Sequence, residues 1–300
     1  MPNLAGVYAH LVGWTFVGWI LGRYLPKSAP VFLGKWLYWF GVPVSILAFL
    51  RHAQVSFSLW LAPLVAWTAI LSGMGIAWWL VRHHSLSDRT KGSFLLASMV
   101  GNTGYIGYPV SLALVGPQYF AWALFYDIGS TLGAYGLGVA LAAHFGDSQY
   151  SPWQALQAVI KNPALWSFAI GLLMRDLSLP AELEVGLKGF AWMVISLSLV
   201  LIGMRLSQLS SFKRLKPAIA CLGIKMVLIP LVLGMGLLLL GLAHGIHRTV
   251  LLQMAMPPAF ATLVLAETYE LDQELTVTTL VVGCLWLLVM LPFWLWLSRG

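Results

Sequence analysis

Charged residues are scarce in this sequence. Only 9% of its 300 residues are Asp, Glu, Lys or Arg, while 60% are hydrophobic. A typical soluble domain has roughly 25% charged residues. The composition therefore excludes a water-soluble globular protein, and no polar block is long enough to form a separate soluble domain. It predicts an all-α polytopic membrane protein.

Several chemical signatures are also missing. The two cysteines, Cys221 and Cys284, lie in apolar stretches, so we predict no disulfide framework and no metal-binding cluster. A G-x-x-x-x-G-K-[ST] segment is absent, which argues against an ATP-driven pump. The seven histidines lie near the ends of apolar segments without the spacing of metal ligands. We expect neither a cofactor nor an enzyme, and we attribute the net charge of +7 to membrane topology and not to nucleic-acid binding.

Long apolar runs, in contrast, fill most of the chain. About 20 helical residues are needed to cross the hydrocarbon core of a bilayer. Divided at its polar clusters, the sequence gives ten segments of suitable length, numbered here as spans 1 to 10. They cover residues 5–22, 31–50, 57–81, 93–115, 118–143, 154–174, 183–204, 216–243, 248–268 and 276–297.

Basic residues favour one side of this arrangement. The loops after the odd-numbered spans carry Arg23, Lys27, Lys35, Arg82, Arg89, Lys91, Lys161, Arg205, Lys213, Arg214 and Lys216. The opposite loops carry Arg51, Arg175, Lys188, Arg248 and Arg299. Because loops rich in Lys and Arg stay in the cytoplasm, we expect a multi-pass protein of the inner (plasma) membrane with both termini outside the cytoplasm.

The two halves of the chain resemble each other. LLASMVGN (95–102) aligns without gaps with LLQMAMPP (251–258), and a second, weaker match joins spans 2 and 7. We therefore predict a first repeat of five spans in residues 1–145, a cytoplasmic linker in 146–153 and a second repeat in 154–300. Because each repeat has an odd number of spans, the second repeat starts on the opposite side of the membrane and is inserted upside down relative to the first. Inverted repeats are typical of secondary transporters, which bind substrate near the bilayer midplane.

Poor helix formers interrupt two spans at matching depths. VGNTGYIGYPVS (100–111) lies within span 4, and Pro257-Pro258 lies within span 9. Both interruptions begin about ten residues into their spans, or roughly 15 Å deep. Gly and Pro also produce harmless kinks in membrane helices, but paired breaks at one depth favour a functional interpretation. Irregular backbone at that depth requires a protein environment or a wet cavity, and the amino ends of half-helices attract anions.

These segments resemble a known family. Asn102-Thr103-Gly104-Tyr105-Ile106-Gly107-Tyr108-Pro109 fits the N-T-x-x-x-G-x-P pattern of the auxin efflux carrier family. QMAMPPAFATLVLAETY (253–269) is similar to the motif of its ninth helix, and FGVPVSILAF (40–49) to that of its second. The family includes plant auxin carriers and bacterial members linked to malate or malonate.

The resemblance implies ten helices, of which the broken fourth and ninth cross. It also implies a scaffold of spans 1, 2, 6 and 7 beside a transport domain of spans 3–5 and 8–10, and we expect the scaffold to form a homodimer. Asn102 would hydrogen-bond the substrate carboxylate, Pro109 and Pro257 would shape the crossing, and Val42 and Ser45 would line the site. Their neighbours complete the predicted site: Gly101, Thr103, Gly104, Tyr105 and Pro258.

The sequence also departs from the family pattern. Thr262 stands where the family has a second proline in its ninth helix, and Pro258 is an addition. Plant carriers have an acid and a lysine near the start of the third helix, whereas VSFSLWLAPLVAW (55–67) contains neither. We therefore expect a different or smaller acid than auxin.

Two charged residues, Asp127 and Lys225, are predicted near the midplane. Charges at this depth are costly and usually functional. One interpretation makes Asp127 a proton-coupling acid and Lys225 a positive charge that favours an anionic substrate. The other is a structural ion pair between them, and the sequence favours neither.

The leading hypothesis is a secondary transporter of a small organic anion, an auxin-like acid or a dicarboxylate, that works by an elevator type of alternating access. Coupling to protons, coupling to sodium, and uniport or exchange all stay open. The alternatives are a sodium-coupled symporter of the bile-acid type and a non-transporting membrane sensor with the same fold. An intramembrane enzyme would need a His/Asp/Glu or Ser/Lys constellation at one depth, where the sequence offers only Asp127 and Lys225.

Overall fold

A computed structural model describes residues 4–50, 56–146, 160–174, 179–208 and 214–298, together with residues 153, 156, 157 and 177. Four basic residues used in the topology prediction lie outside the described residues: Arg51, Arg175, Lys213 and Arg299. Most of the predicted linker at 146–153 also lies outside them.

The described residues form helices that we label in chain order. They are α1 (Leu4–Tyr24), α2 (Ala29–Leu50), α3 (Phe57–Arg82), α4 (Asp88–Met99), α5 (Gly107–Leu114), α6 (Pro117–Phe145), α7 (Pro163–Leu173), α8 (Ala181–Ser207), α9 (Leu215–Leu239), α10 (His244–Met254), α11 (Phe260–Thr268) and α12 (Gln273–Leu297).

Six of these helices are long and apolar enough to cross a membrane: α2, α3, α6, α8, α9 and α12. The prediction of an all-α, multi-pass membrane protein is confirmed at this level. Predicted spans 4 and 9 are each divided into two short helices, α4 with α5 and α10 with α11. The arrangement as ten spans in two inverted repeats stays a prediction.

Helix α4 begins at Asp88, earlier than the predicted start of span 4 at residue 93. The Ser87 side chain accepts a hydrogen bond from the Thr90 backbone N–H at 3.3 Å and so caps the helix. Asp88 adds a negative charge in the first turn, where the helix dipole favours it. The polar sequence of this turn reads as a loop by composition, but local capping makes it helical.

The chain divides into two compact units. Unit 1 consists of residues 1–57, 104–124 and 161–209, and unit 2 of residues 58–103, 125–160 and 210–300. Within unit 1, α1 packs closely along α8 at glycines. A Cβ atom on Gly203 would overlap the Thr15 carbonyl, and one on Gly18 would overlap the Val200 carbonyl. Small residues allow this approach of two membrane helices, which gains van der Waals contact.

Within unit 2, Asp272 connects the start of α12 to the start of α4. Its carboxylate accepts hydrogen bonds from the Thr90 hydroxyl at 2.8 Å and from the Leu275 backbone N–H at 3.0 Å. The Ser93 hydroxyl donates to the Asp272 carbonyl at 2.9 Å, and Arg214 lies 3.4 Å from the carboxylate. We call these residues the Asp272 cluster. It anchors the beginning of α4, and the end of α4 leads into the candidate site.

Candidate functional site at the two helix interruptions

Helical structure is interrupted at both of the places that the sequence indicates. Helix α4 ends at Met99, and α5 begins at Gly107 after an irregular connection. Helix α10 ends at Met254, and α11 begins at Phe260. Glycine and proline supply the local cause, because glycine costs about 1 kcal/mol and proline about 3 kcal/mol in a helix interior relative to alanine.

The two interrupted segments pair with each other inside unit 2. The Asn102 backbone N–H donates to the Pro257 carbonyl at 2.7 Å, and the Ala259 N–H donates to the Val100 carbonyl at 3.1 Å. Between these bonds, Gly101 lies opposite Pro258 in an antiparallel bridge. We call this pairing the crossing. It satisfies main-chain groups that a broken helix would otherwise leave without partners in an apolar environment.

Residues of the crossing are deeply buried. Asn102 and Thr103 are each 3% exposed, and Met256 is fully buried. Helix α12 passes close behind the prolines at Gly283, where an added Cβ would lie 3.0 Å from Pro257 Cβ. The two connections are therefore held in a tightly packed shell.

Lys225 reaches the crossing from α9. It lies in a stretch, Gly223–Leu228, in which the helix widens to i→i+5 hydrogen bonds, a feature frequent at functional sites. Its ammonium is buried, with 3% of the residue exposed, and donates to the carbonyl of Met254 at 2.7 Å. Met254 is the last residue of α10, where helix carbonyls lack intrahelical partners. A Cβ on Gly101 would lie 3.0 Å from Lys225 Nζ, so this cation adjoins both interrupted segments.

Asp127 reaches the α4–α5 connection from α6. Its half-buried carboxylate accepts a hydrogen bond from the Thr103 hydroxyl. Of the two charged residues predicted at depth, Asp127 thus bonds to Thr103 in one interrupted segment, and Lys225 bonds to Met254 in the other.

The remaining predicted residues lie in unit 1. Tyr105 packs against apolar side chains of α2 and α8, and Pro109 is buried in α5. Ser45 donates to the Gly41 carbonyl within α2, at 2.9 Å, while Val42 contacts the same apolar cluster as Tyr105. Gly104 begins the unit 1 part of the connection. Within unit 2 the structure brings together Gly101, Asn102, Thr103, Pro257, Pro258, Asp127 and Lys225.

The sequence did not identify three residues of the crossing: Val100, Met254 and Ala259. They contribute backbone carbonyls or N–H groups and no side-chain chemistry. Residue types carry no signal for such roles. Only the positions of the neighbouring glycine and prolines pointed to these places.

Comparison with known proteins supports the resemblance. Residues 153–295 match the model of a family described as membrane transport protein. The chain is 29% identical over 259 residues to an uncharacterized transporter of Methanothermobacter thermautotrophicus, with 84% of each chain covered. It is 27% identical over 235 residues to an uncharacterized transporter of Methanocaldococcus jannaschii, with 75% of this chain and 74% of the relative covered.

The family model covers residues 153–295, which include α7 to α11 and most of α12, and the archaeal relatives extend the similarity over most of the rest. Two lines of observation now agree: membrane-spanning helices, and relatives described as transporters. The second half of the chain thus resembles the membrane transport protein family, of the auxin efflux carrier and malate permease type, and most of its length resembles archaeal proteins described as transporters.

Proposed function

We propose that this protein is a secondary transporter that binds a small organic anion, an auxin-like acid or a dicarboxylate, at the crossing. The observation that carries the proposal is the antiparallel pairing of Gly101 with Pro258, beside the buried ammonium of Lys225. Discontinuous helices of this kind form the substrate sites of many secondary transporters, near the bilayer midplane.

The electrostatics of the crossing favour a negative guest. Helix α11 begins at Phe260, directly after the bridge, so the positive end of its dipole lies at the crossing. Lys225 adds a full positive charge. The Asn102 side-chain amide supplies two N–H donors at the same place, and a carboxylate is their strongest common acceptor.

The transport cycle proposed from the family resemblance is an elevator movement, in which a transport domain of spans 3–5 and 8–10 carries the crossing and its substrate across the membrane. The ten-span inverted repeat, the homodimer and the inner (plasma) membrane location with external termini belong to the same proposal. They are supported by the sequence repeat, the motifs and the charge asymmetry of the loops.

A thermal-shift screen of the purified protein tests anion binding. Monocarboxylates, dicarboxylates and indole acids are compared as sodium-free salts with chloride at equal ionic strength. A ligand present at about 100 times its Kd stabilises the folded state by about 2.7 kcal/mol, which raises the unfolding temperature measurably. Indifference to every carboxylate in the panel would contradict the proposal.

Asn102→Ala is the first variant to compare with the wild type. A hydrogen bond to a charged group contributes about 1.5–3 kcal/mol, so we expect anion affinity to fall roughly 10- to 150-fold. The matched control is Asn162→Ala. Asn162 is also buried, but its side chain caps α7 by accepting from the Ala164 N–H at 3.0 Å. The control loses stability and keeps its anion affinity; equal affinities in the two variants would remove Asn102 from the site.

Uptake of the stabilising anion into proteoliposomes separates a transporter from a sensor with the same fold. A transporter accumulates or exchanges the labelled anion, whereas a sensor binds it without uptake.

A further inference from the structure

Lys225 makes a contact that anion binding alone does not require. Its ammonium is directed at the main-chain carbonyl of Met254, at 2.7 Å, and it is buried. A lysine that served only to attract an anion would be expected to direct its charge at the guest. This one is bonded to the protein itself, at the carboxyl end of a half-helix.

The carboxyl end of a half-helix is a cation site by its own chemistry. Its last carbonyls lack intrahelical partners and carry partial negative charge. In transporters built on discontinuous helices, such ends and unwound carbonyls coordinate Na⁺. An ammonium has the same charge as Na⁺ and donates up to three hydrogen bonds to oxygen.

The surroundings of Lys225 are shaped for this contact. The wide helical turn at Gly223–Leu228 shifts the register of α9 next to the lysine. Gly101 leaves the space that the ammonium occupies, since a Cβ there would lie 3.0 Å from Nζ and 3.1 Å from Cε. The charge is thus fixed between the end of α10 and the paired segment of the α4–α5 connection.

We propose that Lys225 is a built-in cation, which takes at the crossing the place of a coupling sodium ion. It is a positioning residue, because it contacts the main chain of α10 and holds the crossing together without external sodium. Its consequence for transport, uptake without a sodium gradient, rests on the proposed transporter function.

Thermal unfolding of the purified protein tests this without any substrate. Wild type, Lys225→Met and Lys216→Met are compared in sodium chloride and in N-methyl-D-glucamine chloride of equal ionic strength. Lys216 is the matched control, because it lies on the same helix and is exposed. We expect wild type and Lys216→Met to unfold at the same temperature in both salts.

In the sodium-free salt, Lys225→Met is expected to unfold several degrees below the wild type. Sodium should restore part of that loss with a saturable dependence, because the vacated carbonyl end again binds a cation. A lysine with only a packing role would produce the loss without the restoration. If Lys225→Met does not yield folded protein, Lys225→Ala is measured in the same way, since its short side chain also vacates the Met254 carbonyl.

Three results would overturn the inference: saturable stabilisation of the wild type by sodium, a Lys225 variant as stable as Lys216→Met, or a Lys225 variant indifferent to sodium. Saturable stabilisation of the wild type would favour a sodium-coupled mechanism and would not contradict anion transport. Conversely, failure of every carboxylate to bind would refute the proposed function, while the response to sodium would still decide the role of Lys225.

Discussion

A single methyl group at residue 101 tests the packing of the crossing. In Gly101→Ala the new Cβ would lie 3.0 Å from Lys225 Nζ, 3.1 Å from Lys225 Cε and 3.5 Å from the Met256 carbonyl oxygen. Unstrained contacts between such atoms lie at about 3.5–4.0 Å. The backbone of Gly101 does not have a positive φ, so close approach and not backbone conformation requires glycine here.

The magnitude follows from two opposed effects. Overpacking a well-filled interior costs about 1–3 kcal/mol. Replacing glycine by alanine also restricts the unfolded chain, which stabilises by about 0.4–1 kcal/mol. The net expectation is a loss of about 1–2 kcal/mol in the free energy of unfolding, provided that Lys225 keeps its bond to Met254.

The matched control is Gly75→Ala in α3. Nothing lies within 4 Å of a Cβ at that position. The substitution is expected to stabilise its helix by up to about 1 kcal/mol. Thermal unfolding in detergent should therefore place Gly101→Ala several degrees below Gly75→Ala, with wild type between them. Equal stability of the two variants would refute the packing argument.

A double substitution then locates the overlap. In a Lys225→Met background the ammonium that the new methyl group meets is gone, so Gly101→Ala should cost less than it does in the wild type. Contacting residues typically show coupling of about 0.5–3 kcal/mol. Additive effects would mean that the methyl group is accommodated away from Lys225.

Two further predictions concern the residues that anchor the interrupted segments. Asp127→Asn keeps an acceptor for the Thr103 hydroxyl but removes the negative charge, so the protein should fold normally and lose the pH dependence of its uptake; a pH profile like that of wild type would eliminate Asp127 as a proton carrier. Asp272→Ala removes the cap of α12 and the bond from Thr90, which together are worth about 2–4 kcal/mol. Unfolding of Asp272→Ala within one or two degrees of wild type would contradict the role of the Asp272 cluster.

Local chemistry explains what the sequence predicted correctly. The interruptions at 100–106 and 255–259 follow from glycine and proline, whose effects on a helix depend only on their immediate neighbours. The apolar length of α3, α6, α9 and α12 likewise identifies membrane helices without knowledge of their packing. The predicted start of span 4 missed a helical turn because the Ser87 cap compensates for its polar composition.

Long-range pairing explains what the sequence left undecided. Lys225 and Asp127 were assigned to similar depths, but a partner cannot be chosen from depth alone. Lys225 bonds to a carbonyl 29 residues away, and Asp272 to a hydroxyl 182 residues away. These pairs depend on the register of helices that meet only in the folded protein, and the crossing itself uses main-chain groups that every residue possesses.

The central claim is that the crossing binds a carboxylate that the protein then moves across the membrane. Uptake of a labelled carboxylate into proteoliposomes tests it most directly, with wild type, Asn102→Ala and Asn162→Ala reconstituted at equal density. The account predicts saturable uptake by wild type and Asn162→Ala and a large loss in Asn102→Ala. Equal uptake by Asn102→Ala, or no uptake by any of the three above empty liposomes, would contradict it.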